Sequence, residues 1–227
     1  MRKLCVMRKK ISASLMCADL LNLRAAMDEL KHCGVDMLHC DVMDGHFVPN
    51  WMLFPDLINA IGQEADMPLD VHLMVDQPER LVPRLHLREG DIVSVNYEST
   101  PHIQRVLASI RDAGAQPALA LNPGTPLVMA EDLLPDIDML LIMTVNPGYA
   151  GQPAIPQAIE KIGRARNMLD SQGYSHIAIE VDGNCSFANI PRMVALGADV
   201  IVAGSSSLFH KDYSLKEAAA KLRKDMA

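Results

Sequence analysis

Met139-Leu140-Leu141-Ile142-Met143-Thr144-Val145 is a short, nearly unbroken apolar run. Asn146-Pro147-Gly148-Tyr149-Ala150-Gly151 follows it as a glycine-bearing loop, and residues 156–171 then carry a helical pattern. A strand buried on both faces reads as such a run, and a helix that follows it can return the chain to a parallel neighbour. The unit recurs on both sides. Upstream, residues 11–15 precede a helix over 19–33, and 37–42 precede a loop and a helix over 55–63. The runs 69–74, 92–95 and 117–121 precede helices over 78–88, 101–113 and 127–134. Downstream, 177–181 and 200–203 precede helices over 187–196 and 215–226. Eight strand-then-helix units with none left over predict an α/β protein, a (β/α)8 TIM barrel at the compact end of its size range. A doubly wound open sheet is the alternative.

The chain has 227 residues, so at roughly 150 residues per domain it holds one large domain or two small ones. No Pro/Ser-rich linker or low-complexity block divides it, which favours one barrel domain over residues 10–227. Residues 1–9 read as an N-terminal extension. Apolar residues make up 49% and charged residues 22%, a balance that excludes a disordered chain. No apolar run reaches the ~18 residues of a bilayer span. The basic start, Met1 to Lys10, lacks the apolar core of a secretory signal, so a cytoplasmic protein is expected. The net charge of −7 argues against a broad nucleic-acid surface but not against a local phosphate site built from main-chain N–H groups. Five cysteines (Cys5, Cys17, Cys33, Cys40 and Cys185) are an odd number with no CxxC pair, so reduced thiols are expected. The fifteen methionines outnumber the four phenylalanines and read mostly as core filler.

In this fold, chemistry gathers at the C-terminal ends of the strands. Side chains alternate along a strand, so His39, Asp41 and Met43 share one face and Cys40 and Val42 the other. Asp70, His72 and Met74 share a face, as do Glu180 and Asp182. His39, Asp41, His72 and Asp182 are therefore expected to converge above the barrel. Two imidazoles and two carboxylates suit one divalent metal ion: Zn²⁺, Fe²⁺, Co²⁺ or Mn²⁺. Each alone reads as a hydrogen-bonded polar residue; four at strand ends read as a site. Three adjacent loops carry glycine: Asn146 to Gly151, Asp182-Gly183-Asn184, and Ala203-Gly204-Ser205-Ser206-Ser207. They are candidates for a phosphate cradle. His32, Asp36, His86, His102, His176 and His210 read as solvated or locally bonded, Lys211 and Asp212 as a solvated face, and Asp19 as a helix N-cap.

Leu38-His39-Cys40-Asp41-Val42-Met43-Asp44-Gly45-His46-Phe47-Val48-Pro49-Asn50 resembles the signature of the ribulose-phosphate 3-epimerase family. Pro68 to Val75, Met143 to Gln152, Glu180 to Gly183 and Val202 to Ser205 continue the resemblance in order, from about Lys10 to Tyr213. It implies a metal-dependent isomerase that inverts C3 of a ketose phosphate. By motif position, His39, Asp41, His72 and Asp182 would hold the metal, and Asp41 and Asp182 would exchange the proton. Ser14, His72, Met43, Met74 and Met143 would meet the substrate, together with Gly148, Tyr149, Ala150, Gly151, Gly183, Asn184, Gly204 and Ser205. A homo-oligomer is also implied. Four positions depart from the family pattern: Ala13 for Pro, Asn96 for His, Ala154 for Phe and Asn184 for Gly. The segments Ser14 to Leu21, Tyr149 to Pro153 and Val181 to Cys185 look more like the allulose-6-phosphate 3-epimerase branch. D-allulose 6-phosphate to D-fructose 6-phosphate is thus the expected reaction, and D-ribulose 5-phosphate to D-xylulose 5-phosphate the alternative. A metal-dependent aldolase or lyase and a non-catalytic sugar-phosphate sensor are more remote readings.

Overall fold

Eight parallel strands form a closed sheet in a computed structural model that describes residues 8–227. They are β1 (Lys10–Ser14), β2 (Met37–Asp44), β4 (Leu69–Met74), β5 (Ile92–Asn96), β6 (Gln116–Leu121), β7 (Met139–Met143), β8 (Ala178–Asp182) and β9 (Val200–Ala203). Neighbours pair in chain order, and β1 pairs with both β9 and β2, which closes the barrel. The closed sheet excludes the doubly wound alternative. The expected extension at residues 1–9 lies mostly outside the described residues, as does Cys5. Of its described part, Arg8 reaches Asp36 and Lys9 Nζ lies 2.9 Å from Asp199 Oδ1.

The helices are α1 (Leu23–His32), α2 (Pro55–Glu64), α3 (Ile103–Asp112), α4 (Pro156–Ser171), α5 (Ile190–Ala195) and α6 (Leu215–Asp225). Two expected helices are absent as α-helices. The segment 78–88 instead forms two 3-10 turns, Pro78–Arg80 and Val82–Arg84. Pro83 has no N–H to give the Glu79 carbonyl, and its ring crowds that carbonyl. The segment 127–134 is a 3-10 run, Leu127–Asp136, with Pro135 in its last turn. The helix expected from Asp19 starts later; Asp19 instead caps a 3-10 turn by accepting from the Leu21 N–H. A short strand absent from the sequence reading, β3 (Trp51–Met52), pairs antiparallel with the end of β2.

Alternation along the strands divides the core in two. Outward residues such as Ile11, Leu38, Val71, Val93, Leu119, Leu140, Ile179 and Ile201 pack in one cluster with the helices. Inward residues Met37, Ile92, Ala118, Met139 and Val200 form a separate apolar floor. Above that floor the interior turns polar: Ser12, His39, Asp70, His72, Ser94, Asn96 and Glu180 are all fully buried.

The opposite end of the barrel repeats one device. Asp36, Asp91, Asp138 and Asp199 each stand just before β2, β5, β7 and β9. Three of them accept from the first N–H groups of the preceding strand: Ile11 N–H on Asp36 (2.7 Å), Leu69 N–H on Asp91 (2.8 Å) and Ile179 N–H on Asp199 (3.0 Å). The stagger of a closed sheet leaves strand-end N–H groups without a ladder partner, and the carboxylates supply one. Each carboxylate also holds an arginine: Arg223, Arg88, Arg111 and Arg166 respectively. Arg88 also donates to the Gly62, Ala65 and Met67 carbonyls, tying the end of α2 to the start of β5. Asp91→Ala would leave the Leu69 N–H and a half-buried guanidinium unpaired, an expected loss of about 2–3 kcal/mol. Urea unfolding should show a lower midpoint with an unchanged slope. An unchanged midpoint would remove this clamp from the account of the fold.

Candidate active site and metal centre

The inward parity of β2, β4 and β8 brings His39, Asp41, His72 and Asp182 together: one candidate ligand atom from each lies within 4.8 Å of the others. Cross-strand register sets this geometry, with Asp41 opposite His72 and His39 opposite Asp70. The two imidazole rings have centroids 5.9 Å apart.

Each imidazole has one nitrogen committed. His39 Nδ1–H donates to Asp70 Oδ2 at 2.6 Å, and Ser12 Oγ donates to the same oxygen at 2.6 Å. His72 Nε2–H donates to Asn96 Oδ1 at 2.9 Å. The remaining nitrogens, His39 Nε2 and His72 Nδ1, are buried and make no hydrogen bond among the described residues. They lie 3.3 and 3.9 Å from Asp41 Oδ1. Two ring nitrogens facing a carboxylate oxygen, each backed by a hydrogen bond on the far side of its ring, form a donor set that fits a divalent cation able to displace the proton on His39. Asp70 and Asn96 are thus supporting residues that the sequence reading did not single out as site residues. Alternation alone put Asp70 on the His72 face, but no spacing rule says which imidazole it backs.

Electrostatics push the carboxyls apart. Burial opposes ionisation of Asp41, but His39 and His72 outweigh it and hold Asp41 below its usual range. Asp182 is pushed up to about 7, first by burial and then by Asp41 and Asp70, against the pull of His39. Burial and the crowding of His39 push His72 down to about 4. Burial disfavours charge on His39 too, yet flanking Asp70 and Asp41 raise it well above the usual imidazole value. Beneath the four, burial and the Asp70 charge raise Glu180 well above the carboxylate range.

The pocket above this set is lined by Ser14, Met43, Met74, Met143, Gly148, Tyr149, Ala150, Gly151, Gly183, Asn184, Gly204 and Ser205, together with Asp41 and Asp182. His39 and His72 lie below its wall, fully buried. Met16 and Cys17 also line it. Both sit in the 3-10 turn after β1, where no periodic pattern marked them. Ser14 Oγ donates to Asp41 Oδ2 at 3.2 Å. Met43 and Met74 pack with Met16, Phe47, Val48 and Met52, so β3 contributes to the apolar wall. Tyr149 is 52% exposed, and its hydroxyl donates to the Pro49 carbonyl at 2.6 Å. Asn50 Nδ2 donates to the Gly148 carbonyl at 2.8 Å, so the loops after β2 and β7 are latched across the barrel mouth. Gly183 has φ +109°, and a Cβ there would lie 2.8 Å from the Val145 main-chain nitrogen. Only glycine lets the loop after β8 pack this closely.

Comparison with known proteins gives the same direction. A profile described as "Ribulose-phosphate 3 epimerase family" matches residues 10–209. A ribulose-phosphate 3-epimerase of Bacillus subtilis is 37% identical over 214 residues, covering 94% of this chain and 98% of that protein. The chloroplastic ribulose-5-phosphate-3-epimerase of Arabidopsis thaliana is 41% identical over 206 residues, covering 90% of this chain and 73% of that protein. Among solved structures, 3-keto-L-gulonate-6-phosphate decarboxylase from Vibrio cholerae superposes with a TM-score of 0.69 at 12% identity. It covers 97% of this chain and 98% of that one, a likeness that speaks for the barrel fold alone. The chain belongs to the ribulose-phosphate 3-epimerase family and is an isomerase of that class.

Proposed function

We propose that the protein interconverts D-ribulose 5-phosphate and D-xylulose 5-phosphate by moving the C3 proton between Asp41 and Asp182. The observation that carries the reaction is a pair of carboxyls with divergent proton affinities, Asp41 and Asp182, within one four-residue donor set. The substrate rests on the names of the relatives, which favour ribulose 5-phosphate over the allulose 6-phosphate that the branch motifs led us to expect.

C3 lies beside the C2 ketone, so loss of its proton gives an enediolate. Inversion needs a proton removed from one face and another returned to the other face. Asp41, held ionised, is ready to accept; Asp182, near neutrality in its proton affinity, is ready to give. The roles exchange in the reverse direction, so neither group has to swing. A divalent ion, one of Zn²⁺, Fe²⁺, Co²⁺ or Mn²⁺, held by His39, Asp41, His72 and Asp182 would supply electrostatic stabilisation of the enediolate oxygens. Met43, Met74 and Met143 exclude water from the reacting carbon without offering a proton. The loops around Gly148 to Gly151, Gly183-Asn184 and Gly204-Ser205 would take the phosphate, and Ser14 would orient both Asp41 and the sugar. A cytoplasmic setting belongs to the same reading. So does a homo-oligomer, supported by the contiguous exposed side chains of Leu20, Trp51 and Phe54 beside the barrel mouth.

Proton NMR in D₂O on metal-loaded protein tests the reaction. D-ribulose 5-phosphate should take up deuterium at C3 and form its epimer. Asp41→Asn and Asp182→Asn, assayed at matched metal content, should each lose about 10²–10⁴-fold in rate. Faster turnover of D-allulose 6-phosphate would overturn the substrate, and no exchange with either sugar would overturn the reaction. Metal affinity should depend on pH. A cation binds an ionised carboxyl far more tightly than a protonated one, so Asp182 titrating near 7 by itself weakens binding about tenfold between pH 8 and pH 6, and the proton that His39 must also release adds to that loss. Calorimetric titration of metal-free protein with Zn²⁺ measures this; equal affinity at both pH values would remove Asp182 from the ligand set. Sedimentation equilibrium should give a mass that is a multiple of the 24.9 kDa chain, and a monomer at all concentrations would exclude the oligomer.

A further inference from the structure

Lys161 on α4 is 4% exposed and, among the described residues, faces no carboxylate at bonding distance. Its ammonium spends all three protons on main-chain carbonyls of one loop: Asn122 (2.9 Å), Pro123 (2.8 Å) and Thr125 (2.7 Å). Glu98 grips the same loop from the other side, accepting from the Asn122 N–H at 3.0 Å and from the Thr125 hydroxyl. The main chain of Asn122, immediately after β6, is therefore fixed at both its N–H and its C=O. Its side chain meets the buried Asn96, whose Nδ2 donates to Asn122 Oδ1 at 3.3 Å. Asn96 in turn presents Oδ1 to His72 Nε2 at 2.9 Å. The main chain of Asn96 is held as well, since Ser99 Oγ donates to its carbonyl at 2.6 Å.

A carboxamide between two partners has a polarity. The Asn122 oxygen faces Asn96 at 3.3 Å, and in that arrangement Asn96 turns its NH₂ that way and its oxygen toward His72. That oxygen accepts only if His72 carries its proton on Nε2, which leaves the Nδ1 lone pair for the donor set. Reversing the Asn96 amide would place NH₂ against Nε2 and favour the opposite tautomer, whose Nδ1 is blocked by a proton.

We propose that Asn122, clamped by Lys161 and Glu98, is a positioning residue that sets the tautomer of His72 through Asn96. The proposal deepens the reading of His72 as a metal ligand and rests on it for its consequence, but the tautomer itself is measurable without metal. Asn122→Leu removes the oxygen at similar size, and Asn122→Ala removes it at lower steric cost if the first variant does not fold. Asn122→Asp keeps an oxygen facing Asn96 in either orientation of its carboxylate.

The test uses the full chain with ¹⁵N-labelled histidine rings, metal-free, with His72 assigned from the spectrum that His72→Gln lacks. Zn²⁺ affinity is measured by chelator competition on the same samples. The wild type and Asn122→Asp should carry the proton on Nε2. Asn122→Leu or Asn122→Ala should populate the Nδ1–H tautomer and bind Zn²⁺ about 10–100-fold more weakly. An unchanged tautomer in a folded Leu or Ala variant would overturn the proposal, as would equal loss of affinity in the Asp and Leu variants. A tautomer that switches in protein that binds no Zn²⁺ would support the relay and instead overturn the ligand reading of His72.

Discussion

Pairing of β1 with β2 closes the sheet, and closure forces the strands to tilt and stagger. At one end the stagger strands N–H groups that no neighbour can meet, and Asp36, Asp91 and Asp199 meet them there. At the other end the same stagger sets which inward residues stand level across the barrel. Register places Asp41 beside His72 and Met143 beside Asp182. A slip by one residue in any of these pairs would turn the polar side chains toward the helices and the apolar ones inward.

The polar interior is costly to fold and productive in use. Burial of His39, Asp70, His72 and Asn96 at zero exposure is sustained by the hydrogen bonds of His39 Nδ1, Asp70 Oδ2, His72 Nε2 and both Asn96 amide atoms. The atoms left without a partner include His39 Nε2 and His72 Nδ1, which face Asp41. The imidazoles beside Asp41 hold its proton affinity down, while burial raises that of Asp182. One environment therefore accounts for both a place to hold a cation and a pair of groups suited to give and take a proton.

Loops after β2 and β7 complete the site from above, latched by Asn50 and Tyr149. Tyr149 lines the pocket while its hydroxyl ties its own loop to Pro49. The latch explains the short β3, whose pairing with Met43 and Asp44 folds the first loop back over the methionine wall.

Composition, apolar runs and alternation in the sequence determined the barrel, the positions of its eight strands, and the inward faces that carry His39, Asp41, His72 and Asp182. Those features are local: a two-residue period and a run length are written in consecutive residues. The motif resemblance added the reaction, and family membership followed from the comparison. Helix type was less legible at 78–88, where the apolar spacing suits a helix but Pro83 interrupts it, and at 127–134, which winds as a 3-10 run. The partners of the imidazoles, the clamps at the strand starts, the latch across the mouth and the chain from Lys161 to His72 were settled only by tertiary structure. Each joins residues that lie tens of positions apart in the chain, and no local period encodes which carboxylate or amide will stand behind which ring.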